Sequence, residues 1–157
     1  MAWSNSKIFM ALIEDTLENT SAIDLNADTF KAALYDNDIT PDQTVTAANT
    51  AYAVGQWVVT GNEVTDGTNW DTGGEPLTGV ASTFTSNVYT FDATNTPQSG
   101  ASCTLANVYG CLVYDDTIAA PVADQGLSFH YFGGAQSVTG GTFTIVWHTS
   151  GLVTITA

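Results

Sequence analysis

Short runs of β-branched and aromatic residues, separated by glycine and Asx turn signals, fill the sequence after Asp24. The first run, Phe30–Tyr35, has the two-residue period of a half-buried strand, and Asp36-Asn37-Asp38 ends it. Further strands are predicted at residues 56–60, 62–65, 77–80, 88–91, 102–105, 109–114, 127–132, 142–148 and 152–156. Because no helical pattern separates them, we predict a mainly β fold, either an antiparallel β-sandwich or a jelly-roll-like domain.

The segments between these runs carry residues that favour turns. Four glycine-containing pairs mark predicted turns: Asp66-Gly67, Gly73-Gly74, Gly133-Gly134 and Gly140-Gly141. The chain from residue 40 to residue 54 is predicted as a loop, with at most a short helical turn around residues 47–52. Twenty-five threonines and fourteen glycines agree with β-structure separated by turns.

One segment near the N-terminus departs from the β pattern. The sequence SNSKIFMALIEDTLEN predicts an amphipathic helix over residues 4–19, with Ser4, Asn5 or Ser6 as the N-cap. The apolar residues of this helix lie on one face: Ile8, Phe9, Leu12, Ile13 and Leu17. We therefore predict an N-terminal helical arm over residues 1–22 and a β-sandwich domain over residues 23–157.

The charge balance limits the partners of the chain. Sixteen Asp and Glu residues face two basic residues, Lys7 and Lys31, and the formal net charge is −14. Nucleic acids and anionic membranes are bound through Lys and Arg clusters, so we expect neither as a partner. A hydrophobic content of 44% argues against a disordered acidic chain. No basic run precedes the apolar residues 8–13, so we expect a cytosolic product rather than a secreted one.

Cys103 and Cys111 are the only cysteines of the chain. A hairpin turn near Asn107 would place the two side chains opposite each other and would make a disulfide geometrically conceivable. Two buried free thiols are the more common arrangement in a cytosolic protein, and we expect that arrangement here.

The segment NEVTDGTNWDTGGEPL contains the most plausible binding residues. Asp66, Asn69, Asp71 and Glu75 offer oxygen ligands of the kind that Ca²⁺ takes, but their spacing matches neither an EF-hand nor a glycine-rich calcium repeat. We predict turns rather than a metal site, and no cofactor. Trp70 is a possible ligand contact, as a stacking platform for a sugar; packing in the core is the other interpretation.

No arrangement of residues predicts catalysis. Asp115 and Asp116 are adjacent, and neighbours on a strand point to opposite faces, so they do not form the acid and nucleophile pair of a glycosidase. Neither histidine has a metal-ligating neighbour at suitable spacing. Ser128 and Asp124 lie near His130 in the sequence, but no nucleophile-elbow motif surrounds any serine. We therefore predict no catalytic residues.

Several short motifs in a fixed order carry a resemblance to a known family. They are DTFK and ALY within residues 28–35, NEV at 62–64, GTNW and GG within 67–74, YGCLVYD at 109–115 and GTFTIVW at 141–147. This succession resembles a family of small virion structural proteins of tailed bacteriophages, often found among head genes. The resemblance covers roughly residues 24–150 and implies a non-enzymatic protein.

The resemblance implies a capsid decoration, or cement, protein that is made in the host cytoplasm and lies on the capsid surface of the virion. Its expected partners are the major capsid protein and further copies of itself, with a trimer favoured. We expect the interface to contain Trp3, Ile8, Phe9, Leu12 and Ile13. The alternative is a carbohydrate- or receptor-binding module of a head or tail fibre, which requires an exposed Trp70. A hydrolase would require Asp115 or Asp116 to face another carboxylate across a cleft.

Overall fold

The chain folds mainly into antiparallel sheets. A computed structural model of the protein describes residues 3–156, within which the chain forms ten strands and two helices. The strands are β1 (Lys7–Ile8), β2 (Phe30–Tyr35), β3 (Glu75–Pro76), β4 (Ala81–Thr85), β5 (Val88–Asp92), β6 (Thr96–Pro97), β7 (Cys103–Asp115), β8 (Gly126–Gly141), β9 (Thr144–Ile145) and β10 (Val153–Thr156). The helices are α1 (Met10–Glu18) and α2 (Ala47–Thr50). The mainly β prediction is confirmed, and the arrangement is that of a β-sandwich-like domain.

A five-stranded antiparallel sheet, in the order β1-β8-β7-β2-β3, forms the centre of the molecule. Its two longest strands, β7 and β8, pair with each other through several register shifts. In β2, Ala32 and Leu34 belong to one hydrophobic core, whereas Ala33 and Tyr35 belong to another. The strand predicted as half-buried is therefore buried on both faces.

The two hydrophobic cores lie on opposite faces of the central sheet. On one face, Phe91 and Leu152 pack against the sheet, and a second sheet in the order β10-β5-β4 contributes to this first core. On the other face, Trp3, Phe9 and Trp57 form an aromatic cluster with residues of the sheet. The N-terminal segment thus covers one face of the sheet, while the smaller sheet covers the other.

Trp3 approaches β7 so closely that the strand needs a glycine there. A Cβ atom on Gly110 would lie 2.5 Å from Cζ3 of the Trp3 ring and would clash with the backbone oxygen of His130. The Trp3 indole N–H donates a hydrogen bond to the backbone oxygen of Asp36 at 2.6 Å. Packing and a satisfied polar group together hold this tryptophan inside the protein.

The N-terminal helix is shorter than the sequence predicts. α1 begins at Met10 rather than at residue 4, and Lys7–Ile8 forms strand β1 at the edge of the central sheet. Ser6, one of the predicted N-caps, instead accepts a hydrogen bond from the backbone N–H of Tyr131. The helix prediction is wrong over residues 4–9: Lys7 and Ile8 pair with β8, and the backbone N–H of Phe9 donates a hydrogen bond to the backbone oxygen of Leu127.

The residues predicted as an N-terminal arm are integrated into the domain. Trp3 and Phe9 are completely buried, and β1 is hydrogen-bonded to β8. At the side of α1, the Asp15 carboxylate accepts a hydrogen bond from the Gln125 side chain at 2.8 Å. Residues 3–22 therefore pack as part of the sandwich and do not project from it as a separate unit.

Several predicted strands are absent, displaced or shortened. Residues 56–60 and 62–65 form turns and irregular chain, apart from an isolated bridge between Glu63 and Tyr35. Instead of a strand at residues 77–80, β3 and β4 lie on either side of that run. Of the run 142–148, only the two residues of β9 are extended and paired. The loop prediction for residues 40–54 is correct, and α2 is its short helical turn.

Asn107 is not the site of a hairpin turn, so the geometry that would have placed Cys103 opposite Cys111 is not formed. Asn107 has a positive φ of 59°, but it lies within β7, at an irregularity in the pairing with β8. Gly133 and Gly134 likewise lie inside β8 instead of forming a turn. Residues with positive φ values occur in β-bulges as well as in chain reversals. Asn and Gly in a sequence therefore predict either a bulge or a turn. Cys103 and Cys111 are free, buried thiols.

Candidate binding groove

An apolar groove separates α1 from the second sheet. Its cavity of about 790 Å³ lies between α1 with the following chain on one side and β4, β5 and β10 on the other. Leu12, Phe91 and Leu127, which belong to the first hydrophobic core, reach its interior. The remaining apolar side chains that line it are less buried: Ile8, Ile13, Leu17, Ala22, Ile23, Leu25, Tyr89, Val153 and Ile155.

The apolar face of α1 is only partly used by the domain itself. Ala11 and Leu12 are buried, Ile13 is half-buried, and Leu17 in the last turn is 82% exposed. The helix ends at Asn19, which adopts a left-handed conformation. The backbone N–H of Thr20 donates a hydrogen bond to the backbone oxygen of Asp15. This end leaves the last apolar residue of α1 beside an open space rather than against a neighbouring element.

The chain after α1 forms the rest of that side of the groove. The Asp24 carboxylate accepts a hydrogen bond from the backbone N–H of Asn26, and the Asp28 carboxylate accepts one from the N–H of Asp24. Asn26 in turn accepts a hydrogen bond from the Ser82 hydroxyl of β4 at 2.6 Å. This contact joins the two sides of the groove, since Asn26 and Ser82 both line it.

Two outer strands meet beside the groove without pairing. β1 is the outermost strand of the central sheet at that side, and β10 is the outermost strand of the second sheet. A smaller cavity of about 140 Å³ is lined by Ser6, Lys7 and Ile8 from around β1, by His130 from β8, and by Leu152, Val153 and Thr154 from around β10. Within residues 3–156, no backbone hydrogen bond joins β1 to β10.

The surroundings of the groove are acidic. Asp24 lines it, and the chain as a whole carries a formal net charge of −14. Lys7, in the smaller cavity, is the one Lys or Arg among the described lining residues. Lys31, the other basic residue of the chain, forms an ion pair with Asp116 at 2.9 Å. The groove thus combines apolar walls with negatively charged neighbours.

The predicted interface residues divide into two groups. Ile8, Leu12 and Ile13 line the groove; Ile8 and Ile13 are half-buried, and Leu12 is buried. Trp3 and Phe9 are completely buried in the second core, so neither side chain is available for an interface in this structure. Sequence reasoning missed the opposite wall, formed by β5 and β10, because no local pattern connects these strands to α1.

Trp70 is not a surface residue. Its side chain is completely buried in the first core, with its ring edge-to-face against Phe143 at a centroid distance of 5.5 Å. The Asp66 carboxylate accepts hydrogen bonds from the backbone N–H groups of Thr68, Asn69 and Trp70, and these bonds lower the pKa of Asp66. Asp66 therefore shapes the turn that directs Trp70 inward, and the ligand contact predicted for Trp70 is wrong.

The segment around Trp70 is also fixed by a network that sequence reasoning missed. The Glu63 carboxylate accepts hydrogen bonds from the Tyr52 hydroxyl at 2.9 Å and from the backbone N–H of Gly73 at 2.8 Å. Tyr114 donates to the Gly73 oxygen at 2.7 Å, and its ring stacks on Tyr52. Burial raises the pKa of Glu63. Among residues 3–156, no three Asp, Glu, His or Cys side chains are placed to hold a metal ion.

The Ser128, His130 and Asp124 side chains do not assemble as a triad. Ser128 and His130 lie two residues apart on β8, and the Ser128 hydroxyl is 2.9 Å from His130 Nε2. Asp124 interacts electrostatically with Tyr52 and Tyr114 instead. Ser128 is buried, so a substrate has no direct access to its hydroxyl. Burial lowers the pKa of His130 to about 4.

Asp115 is the last residue of β7 and Asp116 follows the strand, and the two side chains occupy different environments. Asp115 is completely buried, and one of its oxygens accepts hydrogen bonds from the backbone N–H groups of Thr117 and Ile118. Burial raises the pKa of Asp115 to about 6, and the nearby Asp28 carboxyl contributes to the increase. Asp28 is thus a second carboxyl beside Asp115, but neither residue lines the two cavities described above.

Comparisons with known proteins identify no relative of the chain. No protein-family model, no curated protein and no solved structure matches it. In the described range, neither helix has the length and apolar character needed to span a bilayer.

Proposed function

We propose that this chain is a virion structural protein of a tailed bacteriophage, namely a capsid decoration protein that binds the outer surface of the assembled head. The observation that carries the proposal is the open apolar groove, which contains the expected interface residues Ile8, Leu12 and Ile13. Exposed apolar surface of this kind is typical of sites where another protein binds. The ordered motifs that resemble phage head proteins supply the identity of that partner, the major capsid protein.

The rest of the molecule is compatible with such a role. A net charge of −14 opposes binding to nucleic acid and limits adhesion between particles that carry the protein on their surface. A protein that binds only the assembled shell stabilises that shell by mass action, and several copies acting together increase the effect. A homo-oligomer, with a trimer favoured, would present several grooves to the shell at once.

The test uses virions of the encoding phage that lack this protein. Purified chain is added back, and its occupancy on the particles is measured by cryo-microscopy and by quantitative gel analysis. We expect wild-type protein to occupy the capsid surface and to raise the temperature at which the particles release their DNA. Absence of the protein from wild-type virions and failure to bind the deletion particles would refute the proposal.

Leu17 offers a point variant for the same assay. Leu17→Asn removes an apolar side chain that is 82% exposed in the groove, so the fold is preserved while binding weakens at least about tenfold. Val146→Asn is the matched control, because Val146 is 72% exposed and does not line the groove. Equal occupancy of Leu17→Asn and wild-type protein would exclude the groove as the docking surface.

A further inference from the structure

We propose that the groove takes an extended peptide segment of a partner, in which apolar residues alternate with lysine or arginine, and that this segment pairs as an added strand with the free edge of β10. This proposal rests on the proposed function in one respect: the segment is assigned to a protein of the capsid shell. The chemistry of the segment follows from the edges, the apolar walls and the charges of the groove.

The free strand edges determine the extended conformation. β1 and β10 are the outer strands of two different sheets, and the residues of both strands line the smaller cavity. Outer strands present unpaired backbone N–H and C=O groups, which another strand can satisfy. A segment placed beside β10 would therefore make main-chain hydrogen bonds in addition to side-chain contacts. The four residues of β10 span about 13 Å, so about six residues of a partner are sufficient.

The side chains of β10 determine the apolar positions of the segment. Val153 and Ile155 both line the groove, and residues two apart on a strand share one face. A segment paired with β10 would direct every second side chain to that same face, toward Leu12 and Leu127. Phe84, which is opposite Tyr89 in the β4–β5 pair and 70% exposed, extends the apolar surface farther along the second sheet.

The acidic surroundings determine the charge of the remaining positions. Asp24 lines the groove and the chain carries a formal net charge of −14, whereas Lys7 in the smaller cavity provides the one Lys or Arg among the described lining residues. Lys or Arg side chains in the segment would meet this negative potential, and acidic side chains would be repelled. A segment of a second copy of this chain is not the expected occupant, because the two lysines of the sequence provide no stretch in which basic and apolar residues alternate.

The probe is a synthetic fluorescent hexapeptide in which lysine and valine alternate, with capped termini. We expect fluorescence anisotropy to show binding to the purified protein, weakened at least about tenfold when glutamate replaces every lysine. Hydrogen exchange should show new protection of the β10 backbone in the complex. Equal affinity for the lysine and glutamate peptides would overturn the proposed charge complementarity, and no measurable binding would overturn the proposal as a whole.

Backbone pairing is tested separately from apolar contact. N-methylation of alternate peptide bonds removes donors along one edge of the probe and leaves its side chains in place. Of the two possible N-methylated probes, we expect at least one to bind at least about tenfold more weakly. Unchanged affinity of both N-methylated probes would overturn strand addition.

Two variants of equal charge locate the binding site. Ile155→Lys places a charge inside the groove, and Val146→Lys adds the same charge at an exposed position outside it. We expect Ile155→Lys to weaken binding of the lysine–valine peptide at least about tenfold and Val146→Lys to change it less than about twofold. Equal effects of the two variants would overturn the groove as the site.

The other possible occupants and the proposed function give distinguishable results. Self-association of the free protein that Ile155→Lys abolishes would assign the groove to a second copy and overturn the proposal. If the peptide fails to bind but Leu17→Asn still loses occupancy on virions, the peptide proposal is refuted and the groove remains the capsid-docking surface of the proposed function. If the peptide binds but the protein is absent from virions, the proposed peptide binding in the groove is supported and the proposed capsid role is refuted.

Discussion

Asp115 is buried and His130 is partly buried, and the pKa values of these two residues move in opposite directions. Burial raises the pKa of Asp115 to about 6 and lowers that of His130 to about 4, compared with about 3.9 and 6.5 in an unfolded chain. Between pH 4 and 6, Asp115 therefore retains a proton in the folded state that it loses in the unfolded state. His130 does the reverse, so their contributions to the pH dependence of stability oppose each other.

The variant Asp115→Asn separates these contributions. Asparagine preserves an oxygen that accepts the hydrogen bonds of Thr117 and Ile118, but it does not titrate. Wild-type Asp115 loses stabilisation as the pH rises from 4 to 6, so the free energy of unfolding of the variant should increase relative to wild type over this range, by up to about 3 kcal/mol. Urea unfolding at several pH values measures the difference. Asp116→Asn is the matched control, and a pH-independent difference for Asp115→Asn would contradict the prediction.

Trp70 provides a second prediction at the residue scale. Its ring is completely buried, and its indole N–H has no hydrogen-bond partner within residues 3–156. Trp70→Ala should lower the free energy of unfolding by about 3–5 kcal/mol, because it leaves a cavity in the first core. Trp70→Phe should cost much less, since it keeps an aromatic ring and removes the unpaired donor. Chemical denaturation compares the two, and an unaffected Trp70→Ala variant would place the ring outside the core.

At the element scale, the N-terminal segment changes conformation within a few residues. β1 ends at Ile8, Phe9 is buried in the second core, and α1 begins at Met10. The apolar residues of this segment have helical spacing. Phe9 is nevertheless buried outside the helix, because β8 provides backbone partners for β1, the strand that precedes Phe9. The same segment thus helps to build one core with Phe9 and one side of the groove with Ile8 and Ile13.

This dual role predicts that the N-terminal segment is needed for folding. Phe9→Ala should lower the free energy of unfolding by about 3–5 kcal/mol, because the Phe9 ring contacts Trp57 and Phe129 in the second core. Met10→Ala is the neighbouring control, since Met10 is exposed, and it should change stability by less than about 1 kcal/mol. Thermal and urea unfolding test both variants. Similar stability of Phe9→Ala and wild-type protein would contradict the packing of this segment.

At the scale of the whole molecule, an apolar groove between α1 and the second sheet remains open beside the two packed hydrophobic cores. The two hydrophobic cores cover both faces of the central sheet. The Ser82 and Asn26 side chains connect the two sides, while β1 and β10 remain unpaired with each other. A stable sandwich with a partly open side is suited to binding without a change of fold.

The sequence by itself determines the mainly β class, the turn-rich connections, the acidic charge and the apolar face that includes Leu12, Ile13 and Leu17. These properties depend on local spacing and on composition, which act before any distant contact forms. Only the tertiary structure decides that Phe9 and Trp70 are buried, that residues 7–8 form a strand, and that α1 faces β10. The reason is physical: burial and edge pairing depend on which distant residues cover a segment, and local periodicity carries no information about that neighbour.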